Sequence, residues 1–166
     1  MTSSLAFSVR PAQAADVARI HALIVELAVF EKLAHQVVAT EALLHEGLFG
    51  ARPSCEALVG VAQGEVVCFA LFFHNFSTFL TRKGLYLEDL YVQQAHRGKG
   101  FGRQMLVTLA QLALERGCGR FEWSVLDWNA PAIAFYQDVG AVVMPEWRIC
   151  RVAGDALMAL AAGARS

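Results

Sequence analysis

The chain has 166 residues, 56% of them hydrophobic and 17% charged, which suits one compact domain with a real core and excludes a disordered tail. A net charge of −1 leaves no basic surplus to displace counterions, so no nucleic-acid partner is expected. No apolar run reaches about 18 residues, and "MTSSLAFSVRPAQ" has no basic stretch leading into a long apolar segment, so neither a membrane span nor a signal peptide is expected.

In chain order, "LAFSVR" (5–10) predicts a first strand. Val17, Ile20, Leu23, Leu27 and Phe30 then recur at helical spacing. A short helix follows over 40–48. "EALVGVAQGEVVCFALFFHNF" predicts two apolar strands joined at Gln63-Gly64, a hairpin signal, and "GLYLEDLYV" (84–92) predicts another strand. From Gly100 to Glu115 the apolar residues return at helical spacing, and Gly117 and Gly119 stop them. "RFEWSVL" (120–126) predicts a strand and "APAIAFYQDV" a helix. "AVVM" and "EWRICRV" predict closing strands. This order implies an α+β (mixed α/β) fold in one domain, 1–166, with the sheet partly parallel near 84–92 and 120–126. No repeat or long linker interrupts it. Cys55, Cys68, Cys118 and Cys150 form no C-x-x-C, and no His stands at zinc-ligand spacing from them. They predict reduced, mostly buried thiols of a cytoplasmic protein, and no metal site.

The densest chemistry lies in "HRGKGFGRQML". Gly98, Gly100 and Gly102 fall between a strand and a helix. A helix N-terminus carries free N–H groups and the positive dipole end, so it can hold phosphate; glycine lets the backbone turn and come close. Arg97 and Lys99 would add charge. The dinucleotide pattern G-x-G-x-x-G fails, because its last glycine falls at Arg103. The nucleoside-triphosphate loop fails too, because Lys99 is followed by Gly100 and its first glycine falls at Gln93. What remains is R-x-x-G-x-G, at Arg97, Gly100 and Gly102.

Three other stretches give that loop a context: "VRPAQAADVARI" at the start, "YLEDLYV" before it and "VLDWNAPAIAFYQDVGA" after it. Together the four resemble, over nearly the whole chain, the GNAT acetyltransferases. "LYLEDLYV", "RGKGFG" and "VLDWN" resemble the branch of diamine (spermidine/spermine) and thialysine acetyltransferases. The resemblance implies a central twisted mixed sheet of about six to seven strands flanked by about four helices. It implies acetyl-CoA as co-substrate and a cytoplasmic homodimer. It implies cofactor contacts at Leu90, Tyr91 and Val92 of a splayed strand, at Arg97, Gly98, Lys99, Gly100, Phe101, Gly102 and Arg103, and at Asn129, Ala130, Pro131 and Ala132. Asn129 also suits a helix cap on its own chemistry.

The reaction so implied passes an acetyl group from a thioester to an amine. At pH 7 only about one alkyl amine in 2,500 is neutral, and neutralising it costs roughly 4–5 kcal/mol. A carboxylate can take that proton, and an acid can protonate the leaving thiolate. The resemblance assigns the acid to Tyr136 and the carboxylate to Glu88. Glu88 and Asp89 are adjacent in a strand and so are expected on opposite faces, not as a paired dyad. Phe30, Glu31, Glu88, Asp89 and Glu146 are the candidate amine contacts. Glu122, on an expected central strand, has no firm role. Where polyamine-acetylating members carry Asp and Trp, this chain has Thr78 and Leu80, which favours a smaller amine such as thialysine, lysine or a short diamine. No cysteine falls in the motifs, so direct transfer is expected. Acetylation of a protein lysine or N-terminus, or a non-catalytic coenzyme A-binding module, remain alternatives.

Overall fold

A computed structural model describes residues 7–163, so positions 5 and 6 of the expected first strand lie outside the described residues. The chain forms two compact units, one up to Ser124 and one from Val125. The first carries strands β1 (Phe7–Pro11), β2 (Glu56–Ala62), β3 (Glu65–Ser77), β4 (Arg82–Val92) and β5 (Phe121–Trp123). Its helices are α1 (Val17–Phe30), α2 (Glu41–Phe49) and α3 (Phe101–Glu115). The second unit carries α4 (Ala130–Asp138) and α5 (Asp155–Ala161). The sheet runs β1-β2-β3-β4-β5, antiparallel except for the parallel β4–β5 pair.

Local chemistry explains most boundaries. Gln63 and Gly64 both adopt positive φ (54° and 83°), the handedness that matches a two-residue hairpin to the strand twist. Thr40 caps α2, its side-chain oxygen accepting from Leu43 N at 3.2 Å. Val17, Ile20, Leu23 and Leu27 are buried, as the helical stripe predicts. Ile20, Leu23 and Leu27 pack with Leu48 of α2 and with Val59, Phe69 and Tyr91 of the sheet. Phe30 departs from the stripe and is 42% exposed at the end of α1. Across the sheet, Phe101 of α3 packs with Ala62 and Val67, with Val92 against them. Tyr91 and Val92 are chain neighbours serving the two clusters, so α1 and α3 cover opposite faces.

Two expectations are corrected. The strand expected over 120–126 is only Phe121–Trp123, the three residues that pair with Leu85–Leu87 of β4. The closing strands foreseen in "AVVM" and "EWRICRV" are absent: 141–153 has no regular secondary structure. An apolar β-branched run becomes a strand only with a partner for its backbone groups, and Pro145 removes one donor. The sheet therefore has five strands among the described residues, not six to seven. α5 was not foreseen, although "DALMALA" is rich in strong helix formers. Among the described residues no helix is long and apolar enough to cross a membrane.

Candidate active site

The site begins at a defect in β4. Leu71 pairs with Asp89 but the next residue, Phe72, pairs with Leu87, so Glu88 is an extra residue on β4. That is a β-bulge, which bends and twists its strand. Parallel pairing with β5 runs only from Leu85 to Leu87 and stops at the bulge, which is why β5 is short. Beyond it, on the β5 side, the backbone of 88–92 has no strand partner among the described residues.

The bulge also breaks the alternation on which the opposite-face expectation for Glu88 and Asp89 rested. Asp89, opposite Leu71, shares a sheet face with Tyr91, opposite Phe69. Burial, then the charge of Glu88, then that of Glu31 push the Asp89 carboxyl up to about 6. Glu31 is the residue that closes α1, and burial raises its own carboxyl. Glu31, Glu88 and Asp89 are thus one electrostatic group, drawn from a helix end and a strand bulge. Such a group attracts cations, and a carboxyl near 6 can take up or release a proton close to neutrality. Glu122 stands apart from it: Arg120 Nε lies 2.7 Å from Glu122 Oε1, and Asn75 Nδ2 donates to the same oxygen at 3.4 Å. It serves an ion pair.

After β4 the chain makes a single 3-10 turn (Gln94–His96) and enters the glycine stretch. Gly98 and Gly100 have φ of 72° and 81°, a conformation costly for other residues. Gly100 is the N-cap of α3 and offers no side-chain cap. A Cβ at either glycine would meet nothing within 4 Å, so the space in front of this helix end is open. An uncapped helix N-terminus facing open space fits a pyrophosphate. The ring of Phe101 is buried and stacks on that of Phe7 at 4.0 Å, which leaves only its backbone for a ligand.

The cationic side chains expected at the phosphates are turned elsewhere. Arg97 Nε donates to the Val92 carbonyl at 2.9 Å, and its guanidinium lies 4.6 Å from the Phe30 ring centroid and 5.2 Å from that of Tyr91. Lys99 Nζ donates to the Ala95 carbonyl at 3.2 Å. His96, foreseen as a solvated loop residue, is half-buried with Nδ1 unpartnered, its ring 6.3 Å from that of Phe101. Sequence reasoning also missed a polar chain behind the site: Tyr91 OH donates to Glu26 Oε2 and Gln93 Nε2 to Glu26 Oε1, both at 3.3 Å. Glu26 lies on the same side of α1 as the buried Leu23 and Leu27, an acidic position beside an apolar stripe, and that was the available signal.

In the second unit, Asn129 Oδ1 accepts from Ala132 N at 3.3 Å and caps α4, with Pro131 in the first turn. Tyr136 lies near the end of α4; its carbonyl accepts from Ala141 N at 2.9 Å and its ring is 5.4 Å from that of Phe135. Glu146 falls in the irregular segment. The four cysteines are free thiols, and burial pushes Cys68 up to about 12, far from a reactive thiolate.

The sequence model of the acetyltransferase (GNAT) family matches residues 25–141. The chain belongs to the GNAT family. It is an N-acetyltransferase, and GNAT enzymes use acetyl-CoA as co-substrate. The GNAT match takes in Glu31, the bulge, the glycine loop and Tyr136; Glu146 lies past its end. Thialysine N-epsilon-acetyltransferase of Mus musculus is 38% identical over 164 residues, covering 92% of this chain and 96% of its own. L-ornithine N5-acetyltransferase of Arabidopsis thaliana is 36% identical over 197 residues, covering 92% and 86%. These relatives place the chain in the diamine and thialysine branch. An integron cassette protein from the mobile metagenome of V. cholerae superposes with a TM-score of 0.79 at 25% identity, covering 93% of this chain and 97% of that one. A ribosomal-protein-alanine N-acetyltransferase from Brucella melitensis shares the GNAT fold with a TM-score of 0.70 at 19% identity, covering 88% and 99%.

Proposed function

We propose that the protein acetylates the primary amine of a small cationic molecule, of the size of ornithine, thialysine, lysine or a short diamine. The observation that carries this is the coupled group of Glu31, Glu88 and Asp89 at the β4 bulge. Three carboxylates in one place suit a small amine with more than one cationic group better than a neutral acceptor. The names of the two relatives support the same size and charge. Thr78 and Leu80 lie between β3 and β4, and the absence of a carboxylate there favours a short amine over a long polycation.

Acetyl-CoA supplies the thioester. The first turn of α3, with Gly98 to Arg103 before and within it, would receive the pyrophosphate through backbone N–H groups. The strand backbone at Leu90, Tyr91 and Val92 would receive the pantetheine arm, with a backbone N–H for the developing oxyanion. Asn129 to Ala132, at the start of α4, would complete the contacts. Glu31, with Phe30 beside it, and Asp89 hold the amine; Glu146 is a further candidate contact. The amine proton goes to the Glu88–Asp89 pair. Tyr136 gives a proton to the leaving thiolate. The family match runs across the boundary at residue 124, which supports 1–166 working as one acetyltransferase domain. A cytoplasmic homodimer belongs to the same reading; light scattering on the purified chain gives its mass.

The test is release of free thiol from acetyl-CoA with ornithine, thialysine, lysine, putrescine, spermidine and a lysine peptide. Turnover greatest with the short amines supports the proposal. Turnover with the peptide alone would move the function to a protein acceptor, and coenzyme A binding without any turnover would make the chain a non-catalytic module.

A further inference from the structure

We propose that Arg97, though it opens the phosphate-loop motif, is a positioning residue for the amine side of the site and not a phosphate ligand. This rests on the small-amine reading above. Its side chain joins the glycine loop to two elements, β4 and α1. The Nε–H is spent on the Val92 carbonyl at the end of β4. The flat guanidinium lies over Phe30, the last residue of α1, at 4.6 Å, and over Tyr91 of β4 at 5.2 Å. Phe30 immediately precedes Glu31, and Tyr91 stands two residues past Asp89 on the same sheet face. Arg97 therefore bridges the two backbones that carry the substrate carboxylates.

The neighbours reinforce the bridge. Tyr91 OH and Gln93 Nε2 both donate to Glu26 of α1, and Arg19 NH1 lies 3.8 Å from the same carboxylate. One contact chain thus runs from Arg19 and Glu26 on α1, through Tyr91 and Gln93, to Arg97 at the mouth of the glycine loop. It ties α1 to the end of β4 and leaves the phosphates to the N-terminus of α3, where the glycines hold the backbone open. Lys cannot reproduce the flat stack with an edge-on hydrogen bond, but it keeps a cation over the rings; Gln keeps neither.

The full chain is tested as Arg97→Gln and Arg97→Lys, with three readouts: coenzyme A affinity by calorimetry, amide hydrogen exchange at 28–33 without ligand, and KM for ornithine against KM for acetyl-CoA. In Arg97→Gln, coenzyme A affinity stays within about twofold while exchange at 28–33 quickens and the amine KM rises by about tenfold with kcat nearly kept. Arg97→Lys recovers most of the amine KM. Coenzyme A binding weakened by about tenfold, with exchange and amine KM unchanged, would overturn the proposal in favour of a phosphate ligand. Equal losses in both substrates together with a lower melting temperature would also overturn it, leaving a role in loop folding only. If the wild-type chain turns over no amine, the small-amine reading fails, while coenzyme A affinity and exchange still decide the place of Arg97.

Discussion

Asp89 is the residue whose environment says most about pH. Its folded pKa, about 6, lies above the ordinary 3.8. Between about 4 and 6 the folded chain therefore holds a proton that the unfolded chain gives up, and stability falls as pH rises through that window. At neutral pH the charge costs about 3 kcal/mol at most. Asp89→Asn is accordingly expected to raise the melting temperature at pH 7 and to flatten its decline between pH 4 and 6, with amine turnover lost. An unchanged melting profile would remove Asp89 from the coupled group. Tyr136→Phe is expected to lower kcat by about 100-fold or more, the usual share of a general acid, with coenzyme A affinity roughly kept. Full activity in that variant would free Tyr136 from the acid role. Both residues were legible as types and positions in "YLEDLYV" and "FYQDVG". The coupling of Asp89 to Glu31 was not, because 58 residues separate them in the chain and only folding brings their charges within reach.

At the scale of elements, β4 and the glycine loop decide the site. A strand read from its sequence alternates, and alternation puts Glu88 and Asp89 on opposite faces. The bulge overrides this because β3 pairs Leu71 and Phe72 with Asp89 and Leu87, skipping Glu88. Nothing local in "LYLEDLYV" announces the skip; it is a property of the pairing. The same bulge ends the ladder with β5, so one irregularity shortens a strand and frees a stretch of backbone. The glycine loop is the opposite case. Positive φ at Gly98 and Gly100 is local chemistry, visible before any fold. Gly100→Ala is expected to cost about 1–2 kcal/mol of stability from its left-handed φ, and to weaken coenzyme A binding more than amine binding. Equal binding of coenzyme A by that variant, measured by calorimetry, would remove the α3 N-terminus from the phosphate site.

At the scale of the molecule, the first unit is organised by a sheet with α1 and α2 on one face and α3 on the other. Leu23 is fully buried between α1 and the sheet, where it packs behind the elements that carry Glu31 and Asp89. Leu23→Ala is expected to destabilise the protein by about 2–5 kcal/mol in urea unfolding. The helices α1 to α4, the Gln63-Gly64 hairpin and the left-handed turns at Gly98 and Gly100 were all decided within short windows of chain. Periodicity, turn residues and caps act over a few residues, so composition and order suffice to read them. The bulge at Glu88, the short β5, the strandless segment 141–153 and the turning of Arg97 onto Phe30 were decided by partners far away in sequence. A strand exists only where another strand accepts its backbone groups, and a charge or ring finds its neighbour only after the sheet has closed.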